Sequence, residues 1–201
     1  MESITKQIEH IMTENEGKIY TVNDFYHLGS KNAIKATLTR LSNQNKIARL
    51  VDGLYMVPEY SEIIKEYCFP DIDEVARKIA EKFAWTIVPT DVSAMNYTGL
   101  WPQISNAYVY ASDGPSKEYM YKGWKITFKH TSKRNISNYS KELALVIQAI
   151  TILGKDKVRR IDIERLSWFN NFIKGDLKLE AKKLPYWIQE VLQKVQDTNY
   201  E

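Results

Sequence analysis

Apolar residues recur three and four positions apart in two stretches near the start of the chain. Ile4, Ile8, Ile11 and Met12 fall on one face behind Ser3, and Ile34, Leu38 and Leu41 on one face behind Gly29-Ser30. At about 100° per residue that spacing predicts two amphipathic helices. Ser30 is a good N-cap, with Gly29 supplying the turn before it. Between the stripes, Thr21 with Asp24 three residues on resembles a capping box. It opens a short helix holding Val22, Phe25 and Tyr26, and Lys18-Ile19-Tyr20 ahead of it reads as a short strand. The second stripe fades near Asn43–Asn45. Lys46–Val51 and Leu54–Val57 then flank Asp52-Gly53. Asp-Gly between two apolar runs predicts a hairpin, because both central positions of the favoured turn take positive φ. Pro58 ends the second strand. The order helix, strand, helix, turn, helix, hairpin predicts a winged helix-turn-helix over residues 1–60.

A second domain is expected over residues 61–201. Ser61–Tyr67 reads as helical. Asp71–Phe83 predicts a helix with Ile72, Val75, Ile79 and Phe83 on one face, and Pro70, Asp71, Asp73 and Glu74 suit its first turn. Trp85–Val88 reads as a strand, and Thr90 opens a helix through Tyr97 that Gly99 ends. Ala107–Ala111, Glu118–Tyr121 and Trp124–Phe128 alternate apolar and polar positions around Ser112–Pro115 and Lys122-Gly123, which predicts a three-stranded antiparallel meander. Helices follow at Ser140–Leu153, Asp162–Ile173 and Lys183–Val195. The fold class is therefore α+β, a winged helix-turn-helix followed by a mixed α/β C-terminal domain with an antiparallel meander and C-terminal helices.

Charge changes the picture locally. From Phe25 to Val51 there is no Asp or Glu, while Lys31, Lys35, Arg40, Lys46 and Arg49 fall in the same interval. Fixed positive charges without an internal counter-charge suit a phosphate-facing surface. The face of the 30–43 helix opposite its apolar stripe carries Asn32, Lys35, Ala36, Thr39, Arg40 and Asn43. Lys and Arg suit phosphate or guanine, and Asn suits adenine. The candidate DNA-binding residues are Lys31, Asn32, Lys35, Thr39, Arg40, Asn43, Lys46 and Arg49. The bland alternative is a small α+β domain whose basic helix face is only solvated.

Elsewhere composition mainly excludes. The 201 residues are enough to bury a real core, and the net charge is only +3. Residues 1–60 hold seven basic and seven acidic side chains, so nonspecific coating of DNA by a polycation is disfavoured. The single cysteine, Cys68, excludes an intrachain disulfide framework. No run approaches the ~18 apolar residues of a membrane span. The first helix carries acids and no cleavage site of small residues, so it does not read as a signal peptide. A soluble cytoplasmic protein is expected. All five tryptophans (85, 101, 124, 168 and 187) lie after residue 60. Core packing is their ordinary reading, with Trp101, beside Pro102, and Trp124 the candidates for an exposed docking patch. Lys129–Arg134 and the run Lys155, Lys157, Arg159 and Arg160 are basic, as solvated loops or as contacts to flanking nucleic acid.

Enzymatic chemistry finds little support. Gly29-Ser30 and Asp71-Ile72-Asp73 have the outline of a nucleotidyltransferase pattern, but the gap is far too long and Ser30 is better used as a cap. His10, His27 and His130 have no metal-ligand spacing with each other or with Cys68, and His130 near Ser132 forms no identifiable triad. The eight glycines are scattered at turns and form no phosphate-binding loop. No catalytic residue, metal or cofactor is expected.

With these residues in view, the chain resembles the AbiEi-type antitoxins of bacterial abortive-infection toxin–antitoxin pairs. The resemblance covers most of the chain. It is carried by Lys46–Tyr55 in the N-terminal unit, by Ala107–Ser116 ending in Asp113-Gly114-Pro115-Ser116, and by Ile126–His130 ending in Phe128-Lys129-His130. It implies an N-terminal domain that represses its own operon at inverted repeats in double-stranded DNA. It also implies a C-terminal domain that opposes a cognate nucleotidyltransferase toxin, directly or functionally. Asp113–Ser116 and Phe128–His130 are expected as structural markers rather than reactive groups. Two other readings stay open: a protein-docking module, and a ligand-responsive winged-helix transcription factor whose aromatic C-terminal domain is the sensor.

Overall fold

The computed structural model describes residues 3–101, 107–133, 136, 138–171 and 180–198. The chain is mixed α+β and divides into two units, Met1–Ala84 with Met120–Gly123, and Trp85–Tyr119 with Trp124–Glu201.

In the first unit, α1 (Ile4–Thr13) begins where the Ser3 hydroxyl accepts from the Lys6 N–H. The two-residue strand β1 (Tyr20–Thr21) leads into a 3-10 segment, Val22–Leu28. The Thr21 N–H donates to Asp24 Oδ2 at 2.6 Å, so the capping signal is real, although the helix it opens is 3-10 and not α. Val22 and Phe25 are both buried, and three residues per turn place them on one face. Then α2 (Lys31–Asn43) starts at Ser30, whose hydroxyl accepts from the Ala33 N–H at 3.3 Å. Its stripe of Ile34, Leu38 and Leu41 is fully buried against Ile8, Met12, Tyr20, Phe25 and Tyr55. Each such aliphatic side chain contributes about 1.5–3 kcal/mol by leaving water.

The hairpin forms from β2 (Ala48–Val51) and β3 (Leu54–Met56), with β1 on the outer side of β3. Its turn differs from the expected one. Arg49 lies opposite Tyr55 and Val51 opposite Leu54, so Leu50 is an extra, bulged residue. Gly53 has φ 73°, while Asp52 is not left-handed. The bulge lets one left-handed glycine close the turn.

Ser61–Tyr67 is not helical. It is an antiparallel hairpin of β4 (Glu59–Ser61) and β5 (Glu66–Cys68), with Tyr60 opposite Tyr67 and Lys65 left-handed in the turn. Ile63 and Ile64 are 94% and 60% exposed, so a helix there would have no core to bury its apolar residues against. After it, α3 (Ile72–Lys82) opens with a capping box between Asp71 and Glu74. Val75 and Ile79 are buried, and Phe83 lies beyond the helix end, exposed.

In the second unit, β6 (Ile87–Pro89) precedes α4 (Asp91–Tyr97), followed by β7 (Ala107–Ser112), β8 (Lys117–Tyr121) and β9 (Trp124–His130). The sheet order is β6-β7-β9-β8. The expected antiparallel meander is corrected: β7 and β9 are parallel neighbours, with Tyr110 opposite Phe128. Residues 113–116 carry the chain past β9 to the sheet edge, and β9 returns between β7 and β8. Tyr110 and Phe128 are fully buried with ring centroids 5.9 Å apart.

The helix α5 (Lys141–Leu153) is apolar almost all round, as a buried helix must be. Ala144 meets Val88 and Ala111 of the sheet. Val146, Ile147 and Ile150 cluster with residues of α6 (Arg160–Ser167) and α7 (Tyr186–Asp197). The helix expected over Asp162–Ile173 is α6 followed by a 3-10 turn, Trp168–Asn171, and Phe172 and Ile173 lie outside the described residues. The last helix starts at Tyr186, after Pro185, rather than at Lys183.

Of the two tryptophans expected on a docking patch, Trp101 is exposed, and its neighbour Pro102 lies outside the described residues. Trp124 is half-buried and packs edge-on against Tyr108. Trp168 is as exposed as Trp101, at 49%. Among the described residues no helix is long and apolar enough to cross a membrane.

Candidate nucleic-acid interface

The burial of Ile34, Leu38 and Leu41 turns the opposite face of α2 to solvent. Lys31, Asn32, Lys35, Thr39, Arg40 and Asn43 are all exposed there, and Lys46 and Arg49 are exposed just beyond. Tertiary structure then sorts these eight residues.

Lys31, Lys35 and Thr39 line a cleft of about 490 Å³ together with Arg49 of β2. Its other walls come from Asn23 and Tyr26 of the 3-10 segment, Asp52 and Gly53 of the turn, and Lys82 of α3. Neither Lys31 nor Lys35 has an ion-pair partner among the described residues. Arg49 pairs with Asp52. An ion pair this exposed is worth little and exchanges readily with water or another anion.

Asn32, Arg40, Asn43 and Lys46 lie outside that lining. Two of them lean toward α1: the Arg40 guanidinium donates to the Thr5 hydroxyl, and the Lys46 ammonium lies 2.5 Å from Glu9 Oε1. The acid-free interval is thus locally neutralised at Lys46 by a carboxylate distant in sequence. Asp24, the acid that precedes the interval, accepts from the Thr21 N–H and hydroxyl. Burial first, and then this carboxylate, raise the Tyr20 phenol above its ordinary value.

Lys82 is the residue that sequence reasoning missed. Its ammonium donates to the Asp52 carbonyl at 2.9 Å, and its own carbonyl accepts from the Asn23 amide at 3.4 Å. It closes one side of the cleft and adds a cation to it. No sequence signal marks it beyond a lysine in the last turn of a helix, where cations are common.

Three other basic groups from the sequence reading are held by carboxylates, while Lys133, Lys155 and Lys157 have no ion-pair partner among the described residues. Lys129 pairs with Asp91, Arg159 with Asp162 at 2.9 Å, and Arg160 with Glu164 at 2.8 Å. Arg134 lies outside the described residues. Burial alone would raise the Asp162 carboxyl, but the hydrogen bonds and charge of Arg159, with Arg165, outweigh it and hold it below the usual carboxylate range.

The segments Asp113–Ser116 and Phe128–His130 are bound to each other. The His130 N–H donates to Ser116 Oγ at 3.0 Å, and His130 Nδ1 lies 2.8 Å from the Gly114 carbonyl. Asp113 Oδ1 accepts from the Thr86 N–H at 2.7 Å. Gly114 is required by packing, since a Cβ there would lie 2.3 Å from the Trp85 ring.

No curated protein matches the chain. The model of a family of unknown function, DUF6088, matches residues 6–174, and the chain belongs to that family.

Proposed function

We propose that the N-terminal elements form a winged helix-turn-helix that binds double-stranded DNA, with α2 as recognition helix and the β2–β3 hairpin as wing. The observation that carries this reading is the convergence of Lys31, Lys35 and Thr39 of α2 with Arg49 of the hairpin on one cleft. A B-DNA major groove admits an α-helix, and cations at its flanks set register on the phosphates. In this docking α2 presents Asn32, Lys35, Thr39 and Asn43 toward base edges. Arg49 and Lys82 approach a phosphate or the adjacent minor groove, and Arg40 and Lys46 serve the backbone on the α1 side.

The resemblance to AbiEi-type antitoxins supports a fuller reading. The chain is a cytoplasmic autorepressor acting at inverted repeats of its own promoter, and its second unit opposes a nucleotidyltransferase toxin. Finding a nucleotidyltransferase-like reading frame beside the gene would support this half, and rescue of growth on co-expression with that gene product would test it.

The DNA half is tested by gel-shift titration on the gene's upstream DNA and on scrambled DNA, at two salt concentrations. Salt-sensitive retardation of the upstream fragment at far lower protein concentration is expected. It should be lost in a Lys31, Lys35, Arg49 triple alanine variant. Weak and equal retardation of both fragments, or equal affinity of wild type and variant, sinks the assignment and leaves the N-terminal unit a protein-docking module.

A further inference from the structure

The second unit holds a cleft of about 810 Å³ that the DNA-binding reading does not use. It lies where the parallel strands β7 and β9 end, lined by Ala111 of β7 and by Lys129, His130 and Thr131 at and just beyond the end of β9. The carboxyl ends of parallel strands are the ordinary location of ligand crevices in such sheets. The volume is of the size that holds a whole small molecule rather than a single ion.

Polar groups in the cleft are held with binding capacity left over. The Thr90 hydroxyl, in a residue only 8% exposed, donates to Gln148 Oε1 at 2.8 Å. That bond fixes the amide of Gln148 and leaves its Nε2 donors with no partner among the described residues. His130 is oriented in the same way: with Nδ1 on the Gly114 carbonyl, Nε2 remains for a ligand. The Lys183 ammonium has no ion-pair partner among the described residues.

Lys129 is paired with Asp91, the first residue of α4, whose φ of 48° is left-handed. A non-glycine residue in that region is uncommon and tends to persist where a site requires it. Lys129 and Lys183 against Asp91 leave one net positive charge in the cleft. Tyr139, Ile147 and Ile188 supply an apolar wall.

We propose that this cleft binds a nucleoside phosphate. Lys183 and the Gln148 amide hold the phosphate, since a lysine acts as a point charge for phosphate and the amide adds directed donors. Asp91 accepts from a sugar hydroxyl, as carboxylates do in ribose recognition. The base lies against Tyr139 and Ile188. The cations alone would suit any oxyanion. The carboxylate and the apolar wall select a phosphate that also carries hydroxyls and a flat body.

The experiment is isothermal titration calorimetry of the full chain with ATP, GTP, CTP and UTP in turn, with inorganic phosphate and adenosine as controls. Binding of at least one nucleotide tighter than about 1 mM is expected, with both controls much weaker. Gln148→Glu places a carboxylate against the phosphate, and Lys183→Met removes an exposed charge without touching the core. Each should weaken binding about tenfold or more, a loss expected for a charged hydrogen bond. The Lys31, Lys35, Arg49 triple alanine variant should bind the nucleotide like wild type, which separates this cleft from the basic face of α2. No nucleotide binding at 1 mM, unchanged affinity in Lys183→Met, or inorganic phosphate binding as tightly as the nucleotides would overturn the proposal. Its failure leaves the gel-shift result untouched, because the two sites share no residue.

Discussion

The Lys82 ammonium donates to the main-chain oxygen of Asp52 at 2.9 Å, fastening the last turn of α3 to the turn of the β2–β3 hairpin. The bond spans thirty residues of chain and holds the turn that the DNA-binding reading uses as a wing. Lys82→Met keeps the aliphatic stem and removes the bond. The expected cost is about 1 kcal/mol by urea denaturation. Hydrogen exchange should also quicken at the amides of the turn, and unchanged exchange there would show that the bond does not hold it.

Gly53 is the other half of that arrangement. Its φ of 73° is left-handed, and a Cβ there would lie 2.4 Å from Lys82 Nζ. Gly53→Ala should cost about 1–2 kcal/mol from backbone strain and should also displace the lysine. Combined with Lys82→Met, the two losses should sum to less than their total, because the alanine already breaks the bond. Thermal melts of the two single variants and the double variant give the comparison.

The cations of the candidate interface should not act alike. Lys31→Ala, Lys35→Ala and Arg49→Ala should each flatten the dependence of log affinity on log salt by about 0.9 if each meets a phosphate. Lys46→Ala should change it less, since Glu9 at 2.5 Å already balances that charge. Fluorescence anisotropy across a salt series reads these slopes, and a Lys46 effect equal to that of Lys35 contradicts the sorting.

Gly114→Ala should destabilise the second unit by about 1–3 kcal/mol through overpacking. The new methyl meets the Trp85 ring, which also packs edge-on to Phe128. A shift in tryptophan emission should accompany the loss. A variant as stable as wild type would mean that the ring moves aside freely.

Acid should find Asp162. Its folded-state carboxyl is held below the ordinary range, so the stability it contributes is present above the ordinary carboxylate value, near pH 4. That stability is lost as pH falls through the lower folded value. Asp162→Asn keeps a side-chain oxygen at the start of α6 and removes the titration. Its stability should therefore fall less steeply than wild type below about pH 4, as read by denaturant melts at a series of pH values.

Much of the local structure was legible in the order of amino acids, where short-range signals agree. The stripe Ile34, Leu38 and Leu41 with Ser30 ahead of it determined α2 and the direction of its polar face. Asp71 and Glu74 marked the start of α3, and Asp52-Gly53 located the hairpin. These features depend on neighbours a few residues away, which a linear reading contains. What failed was what depends on distant partners. Ser61–Tyr67 has a plausible helical composition, but its isoleucines find no core and the segment pairs as a hairpin. The strands at 107, 117 and 124 show the turns of a meander, yet the burial of Tyr110 beside Phe128 places β9 next to β7.

The candidate site divides in the same way. The absence of acids from Phe25 to Val51 is a linear property and pointed to the face of α2 that the fold leaves exposed. Only the tertiary structure decided that Lys31, Lys35, Thr39 and Arg49 share a cleft while Arg40 and Lys46 turn to Thr5 and Glu9. Only it brought Lys82 to the turn at Asp52, because a side chain's charge is written in the sequence but its nearest counter-charge is set by packing.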